Sequence, residues 1–168
     1  MKNILFVFAA IIGLITISNI MTSKNLIPKD AIRIRVIANS NEKKDQHLKV
    51  EVKNEVEEYL YNKLKNVKDS NTADLVIKEN IPNVEKIVSK YTNDYKINYG
   101  LNYFPEKEYK SIVYDAGDYK SLVITLGNGL GDNWWCVLFP PLCLMEGSES
   151  EDVEYHSYIA DTIDKYIK

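Results

Sequence analysis

The sequence predicts an α+β domain: a small, mainly antiparallel sheet with helices packed on one face, preceded by an N-terminal apolar export helix. Three observations predict it. Apolar residues make up 45% of the chain and charged residues 27%, enough for a core and too apolar for disorder throughout. The hydrophobic period switches along the chain between two and 3.6 residues, the signatures of strand and helix. The periods follow one another as strand, helix, helix, strand, strand, helix, an order that implies an α+β arrangement.

The export helix comes first. Lys2 precedes ILFVFAAIIGLITI, Ile4 to Ile17, which carries no charge. That is the length of a secretory h-region and shorter than the roughly 20 residues a spanning helix prefers. Counted on through Ile20 and Met21, it approaches the lower limit for a span. Thr16 and Ser18 offer small residues for a cleavage site, although no Ala-x-Ala follows. Residues 1–22 therefore read as a signal peptide or membrane anchor, 23–30 as a polar tether and 31–168 as one domain. A buried core helix is the competing reading, and an uncharged run directly after Met-Lys argues against it. Membrane contact is expected only through this segment. Net charge is −3 for the whole chain and −4 without residues 1–22, which carry only Lys2. Neither value shows the basic excess of a nucleic-acid partner.

In the domain, Ile32, Ile34, Val36 and Ala38 alternate with Arg33 and Arg35, which predicts a half-buried strand. Asn39-Ser40-Asn41 ends it and offers helix caps. From about Asp45 to Val67, Leu48, Val52, Val56, Leu60 and Leu64 recur at i+4 steps, with Tyr59 and Val67 widening the stripe. A second helical region runs from Ala73 to about Asp94, and Pro82 is expected to break it in two. Tyr95, Ile97, Tyr99, Leu101 and Tyr103 then share one side of a strand, and YKSLVITL, Tyr119 to Leu126, forms the next, expected to be its antiparallel neighbour. A last helix is expected from about Val153 to Lys168.

Candidate chemistry is sparse. His47 in DQHLK and His156 in EYHSY stand in no nucleophile elbow or Cys-His signature, and read as surface histidines. GNGLG, Gly127 to Gly131, lacks the lysine and following helix of a phosphate loop, and reads as a turn leaving a strand. The five acidic residues of EGSESEDVE, Glu146 to Glu154, match no EF-hand spacing and read as a solvated linker. No metal, cofactor or catalytic residue is expected.

Two features are less ordinary. Of 21 basic residues only Arg33 and Arg35 are arginines, two apart on one strand face. Guanidinium groups make planar bidentate contacts that lysine cannot copy. Two readings stay open: internal salt bridges to helix carboxylates such as Glu51 or Glu55, or recognition of an anion or partner. The second feature is NWWCVLFPPLC, Asn133 to Cys143, which holds both tryptophans, both cysteines and Pro140-Pro141. Alternation forbids Trp134, Trp135, Val137, Leu138 and Phe139 from all pointing inward, so the segment reads as half core and half contact patch. Cys136 and Cys143 are disulfide candidates in an exported chain, the alternative being two buried thiols; a bridge would stabilise by roughly 2–3 kcal/mol.

Two blocks, together with the apolar N-terminus, resemble the stage II sporulation protein R family of endospore-forming bacteria. They are RIRVIANSNEKKDQHLKVEVKNEV, Arg33 to Val56, and FPEKEYKSIVYDAGDYKSLVITLGNGLGDNWWCVLFPPLC, Phe104 to Cys143. Asn41 departs from an expected acidic residue, and Leu130 and Asp132 vary the glycine turn. The resemblance implies a signalling protein rather than an enzyme. Such a protein is exported from the forespore into the intermembrane space, where it activates a membrane-embedded aspartic protease of the mother cell. That protease cleaves the pro-form of the early mother-cell sigma factor. Arg33, Arg35, Asn133, Trp134, Trp135, Phe139, Pro140 and Pro141 are the expected partner-binding residues. The competing class is a secreted cell-wall-binding module or hydrolase, with the paired tryptophans stacking on glycan.

Overall fold

A computed structural model describes Pro28, residues 30–109 and residues 112–142. The elements are β1 (Ile32–Ile37), α1 (Lys43–Leu64), α2 (Ser70–Ser89), β2 (Tyr95–Phe104), β3 (Lys107–Tyr109), β4 (Ile112–Tyr114), β5 (Gly117–Leu126) and β6 (Asn133–Phe139). The export segment, the acidic linker, His156 and the last expected helix lie outside the described residues. No helix among the described residues is long and apolar enough to cross a membrane.

Four strands form one sheet in the order β2-β5-β1-β6, and β3 pairs with β4 separately. The outer pairs, β2 with β5 and β1 with β6, are antiparallel, the first as expected. The central pair, β1 with β5, is parallel, so the sheet is mixed. The helices explain this. Parallel neighbours need a long crossover, and α1 and α2 supply it between β1 and β2. The β2–β5 hairpin then lays β5 beside β1 in the same direction.

Both helices cover one face. Val52, Val56, Leu60 and Leu64 of α1 and Ala73, Ile77, Val84, Ile87 and Val88 of α2 form one core with Ile32, Ile34, Val36, Leu122, Ile124 and Leu126. Full burial of each of the larger aliphatics stabilises by roughly 1.5–3 kcal/mol.

Two helix expectations are corrected. Pro82 does not break α2, which runs through it. The proline lies on the exposed side, and the buried stripe from Ala73 to Val88 continues past it. Packing along that stripe outweighs the local cost of about 3 kcal/mol. The N-cap of α1 is Glu42, without a side-chain cap bond. Asn39 and Ser40 instead donate to the Asp45 carboxylate, each at 2.7 Å.

The loops at the carboxyl ends of β1 and β5 lock together. Asn128 N donates to Asn39 Oδ1 (2.9 Å), and Asp132 N to Asn41 Oδ1 (2.7 Å). Leu130 N reaches Asn39 O and Gly131 N reaches Ala38 O. Gly127 and Gly129 take positive φ, +55° and +66°, which non-glycine residues rarely adopt. GNGLG is a turn leaving β5, as the sequence predicted.

Candidate functional site

The second face of the sheet carries the unusual residues. Because Ile32, Ile34 and Val36 fill the helix side, Arg33 and Arg35 project to the other. Arg33 pairs in register with Val137 and Arg35 with Trp135, so Trp135 stands beside the arginines. Trp134 pairs with Val36 and packs against the helix-side core, with the Lys53 ammonium 4.7 Å from its ring centroid. Alternation thus sends the two tryptophans to opposite faces.

The arginine face has a roof. Phe104, the last residue of β2, pairs with Gly117 and alternates with Tyr103, so its ring falls on the arginine face and is fully buried there. The Phe104 ring meets Trp135 edge-on at 5.4 Å and Tyr119 at 6.2 Å. The Arg33 guanidinium lies 3.4 Å from the Tyr119 centroid, 5.3 Å from Phe104 and 5.7 Å from Tyr114. The Arg35 guanidinium lies 4.9 Å from Phe104, and the Lys107 ammonium 4.9 Å from Trp135. Such contacts contribute roughly 0.5–2 kcal/mol each.

The salt bridges considered for the arginines are absent. Glu55 pairs with Lys90 and accepts from Tyr91, and Glu51 pairs with His47, all on the helix side. Geometry forbids the alternative, since the arginines project away from both helices. Arg33 is only 3% exposed. Burial pushes its guanidinium below the ordinary value, while Tyr119, Tyr114 and Asp115 act in the opposite direction. Burial lowers Arg35 too, with no opposing group. Arg33 Nε, Arg35 Nε and Trp135 Nε1 are buried donors without an acceptor. A buried donor left unsatisfied costs roughly 1–3 kcal/mol.

The remaining expected residues divide. Asn133 is exposed at the start of β6, opposite Ile37 on the arginine face. Phe139 reaches Ile32 across a register shift and joins the helix-side core. Pro140 and Pro141 are buried in the turn that follows, which brings Leu142 N to Val137 O. Cys136 pairs with Ile34 on the helix side; Cys143, and with it the expected disulfide, lies outside the described residues. The structure therefore joins Arg33, Arg35, Trp135 and Asn133 on one face and places Trp134 and Phe139 on the other.

The comparisons with known proteins bear on what this face belongs to. The family profile described as stage II sporulation protein R matches residues 28–149. The stage II sporulation protein R of Bacillus subtilis (strain 168) is 36% identical over 159 residues, covering 89% of this chain and 71% of the relative. This chain belongs to the stage II sporulation protein R family. No solved structure matches it. A role in sporulation follows from that membership.

The two sequence blocks that resemble the family meet in space. The first supplies β1, its Asn39-Ser40-Asn41 exit and most of α1; the second supplies Phe104, β5, the glycine turn and β6. Sequence reasoning missed Phe104, Lys107, Tyr114 and Tyr119 as neighbours of the arginines. The signal available was the Phe-Pro block, with Phe104 opposite in phase to Tyr103, but no local pattern says which residues of β1 and β6 it meets.

Proposed function

We propose that this chain is an exported sporulation signal, without catalysis of its own, that acts between forespore and mother cell. It activates the mother cell's membrane-embedded aspartic protease, which then cleaves the pro-form of the early mother-cell sigma factor. Family membership carries the reading. The apolar run from Ile4 to Ile17 supports export into the intermembrane space, by a cleaved leader or a retained anchor. Cys136 and Cys143 are positioned in sequence to pair once there.

An activator works by binding the active state of its target better than the inactive one. Moving an equilibrium from mostly inactive to mostly active takes about 5.5 kcal/mol of differential binding. Truncating a hot-spot tryptophan or arginine costs about 2 kcal/mol or more, so Arg35 and Trp135, with Asn133 at the rim, form the nucleus of such a contact, which further neighbours complete. The glycan-binding alternative is weakened by the cations beside the indoles: Lys53 over Trp134 and Lys107 over Trp135 occupy ring faces that a sugar would need.

Deleting the gene should leave the sigma precursor uncut, and an exported chain beginning at residue 24 should restore cleavage. Trp135→Ala should remain folded and secreted yet fail to restore it. Normal processing in the deletion strain, with the purified protein sedimenting on peptidoglycan, would sink the signalling reading.

A further inference from the structure

We propose that Arg35, Lys107 and Trp135, backed by Arg33 and Phe104, form a dock for the carboxylates of an extended acidic segment on the partner protein. The inference rests on reading this face as the partner surface and supplies its chemistry. Charge is the first observation. The ion pairs among the described residues are His47–Glu51, Lys53–Glu57, Lys78–Asp74, Lys90–Glu55 and Lys120–Asp74. Arg33, Arg35 and Lys107 enter none of them. Three cations thus gather on one face of a chain whose net charge is −3. Asp115 acts on Arg33 through space.

The second observation is orientation. Tyr119 and Phe104 pack on the guanidinium groups, and Lys107 lies over Trp135. Arg35, half-buried beside Phe104 and with only burial acting on it, keeps its guanidinium for a planar, bidentate acceptor. The third is the set of unsatisfied buried donors, Arg33 Nε, Arg35 Nε and Trp135 Nε1, all on this face. Carboxylates arriving at its rim compensate charge that no ion pair among the described residues compensates.

The two outer cations select the source. Arg35 and Lys107 each lie 4.9 Å from one ring of the Phe104–Trp135 pair, whose centroids are 5.4 Å apart. They offer two separate anion contacts, which suit the successive carboxylates of an extended acidic chain better than a single phosphate.

The test uses the full chain with 15N-labelled tryptophan and four probes: hexaglutamate, hexalysine, inorganic phosphate and phosphatidylglycerol vesicles. Hexaglutamate should move the Trp135 indole resonance and leave Trp134 in place, with an affinity that falls as salt rises. Hexalysine should do nothing. The Arg35→Gln/Lys107→Gln double variant, with the Trp134 resonance confirming the fold, should bind about tenfold more weakly or worse, the loss of charge-assisted contacts at two groups. No Trp135 shift, or unchanged affinity in the double variant, would overturn the proposal. Tighter binding of phosphate or vesicles would reassign the source. A gain of about tenfold in hexaglutamate affinity on Glu149→Gln/Glu151→Gln would make the chain's own acidic stretch the occupant and remove the partner from the dock. Peptide binding needs no sporulating cell, so a protein that binds hexaglutamate while a deletion strain processes its sigma factor normally loses only the activation reading. One that activates without binding loses only the dock.

Discussion

Gly131 has no room for a side chain. A Cβ there would stand 2.3 Å from the Ser40 carbonyl oxygen, a backbone atom held by the locked loops. Gly131→Ala must push the β5–β6 turn off the β1 exit, and overpacking of this kind costs roughly 1–3 kcal/mol. Its neighbour Leu130 is 80% exposed, so Leu130→Ala should stay within about 0.5 kcal/mol of wild type. Urea midpoints for the two variants check the contrast, and equal midpoints would refute the steric account. The glycines were legible as a turn because GNGLG lacks helix context, but what they pack against was not. The arginines show the same divide. Their uniqueness was visible by counting, and alternation with Ile32, Ile34 and Val36 already set them opposite any helix packed on those residues. Applied strictly, that alternation excludes salt bridges to Glu51 and Glu55. The face that Phe104 takes follows from alternation with Tyr103, but that Phe104 and Lys107 reach Arg35 and Trp135 leaves no periodic trace.

At the scale of elements, propensity was overruled by packing in α2. The helix tolerates Pro82 because the residues it must bury lie on the other side. Replacing Pro82 by Ala restores a helical N–H and relieves the ring's clash with the preceding turn. The helix-propensity gain is about 3 kcal/mol. Up to about 1 kcal/mol is returned through the freer unfolded chain. A net stabilisation of about 2 kcal/mol is expected, seen as a higher urea midpoint with an unchanged slope. A lower midpoint would mean that the proline shapes a bend the sheet requires. Strand β2 fails in the opposite way. Its alternation reads as a single apolar side from Tyr95 to Tyr103, yet Leu101 and Tyr103 are 75% and 60% exposed. The side is continuous, because Leu101 faces Lys120 and Tyr103 faces Asp118 in register. Asp74, in the first turns of α2, already meets Tyr99 and Lys120, so the strand outruns the helical cover beyond them. Periodicity shows which residues share a face, not how far the covering layer extends.

Across the whole molecule, one carboxylate ties the helical layer to the sheet. Asp74 of α2 accepts from the Tyr99 hydroxyl of β2 at 2.8 Å, and pairs with Lys120 of β5 at 2.8 Å and Lys78 of its own helix at 2.9 Å. Burial pushes its carboxyl upward, but the bonds from Lys120, Lys78 and Tyr99 outweigh that and hold it at about 2, against an ordinary 3.8. The same contact, added to burial, raises the Tyr99 hydroxyl. Because the folded-state value lies below the unfolded one, Asp74 stabilises fully above the ordinary carboxylate value. That contribution fades as pH falls through about 2. A depression of this size corresponds to about 2 kcal/mol at neutral pH. Asp74→Asn should therefore cost about that much at pH 7. The gap between variant and wild type should persist down to about pH 4 and close toward pH 2 as the wild-type carboxyl takes up its proton. Urea midpoints at pH 7, 4 and 2 measure it, and subtracting the variant removes the other carboxylates held low, Asp45, Glu55 and Asp69. A gap that stays constant across this range would mean that Asp74 joins the layers by shape and neutral hydrogen bonds alone. A gap that closes makes its charge the link that breaks when the helices leave the sheet in acid.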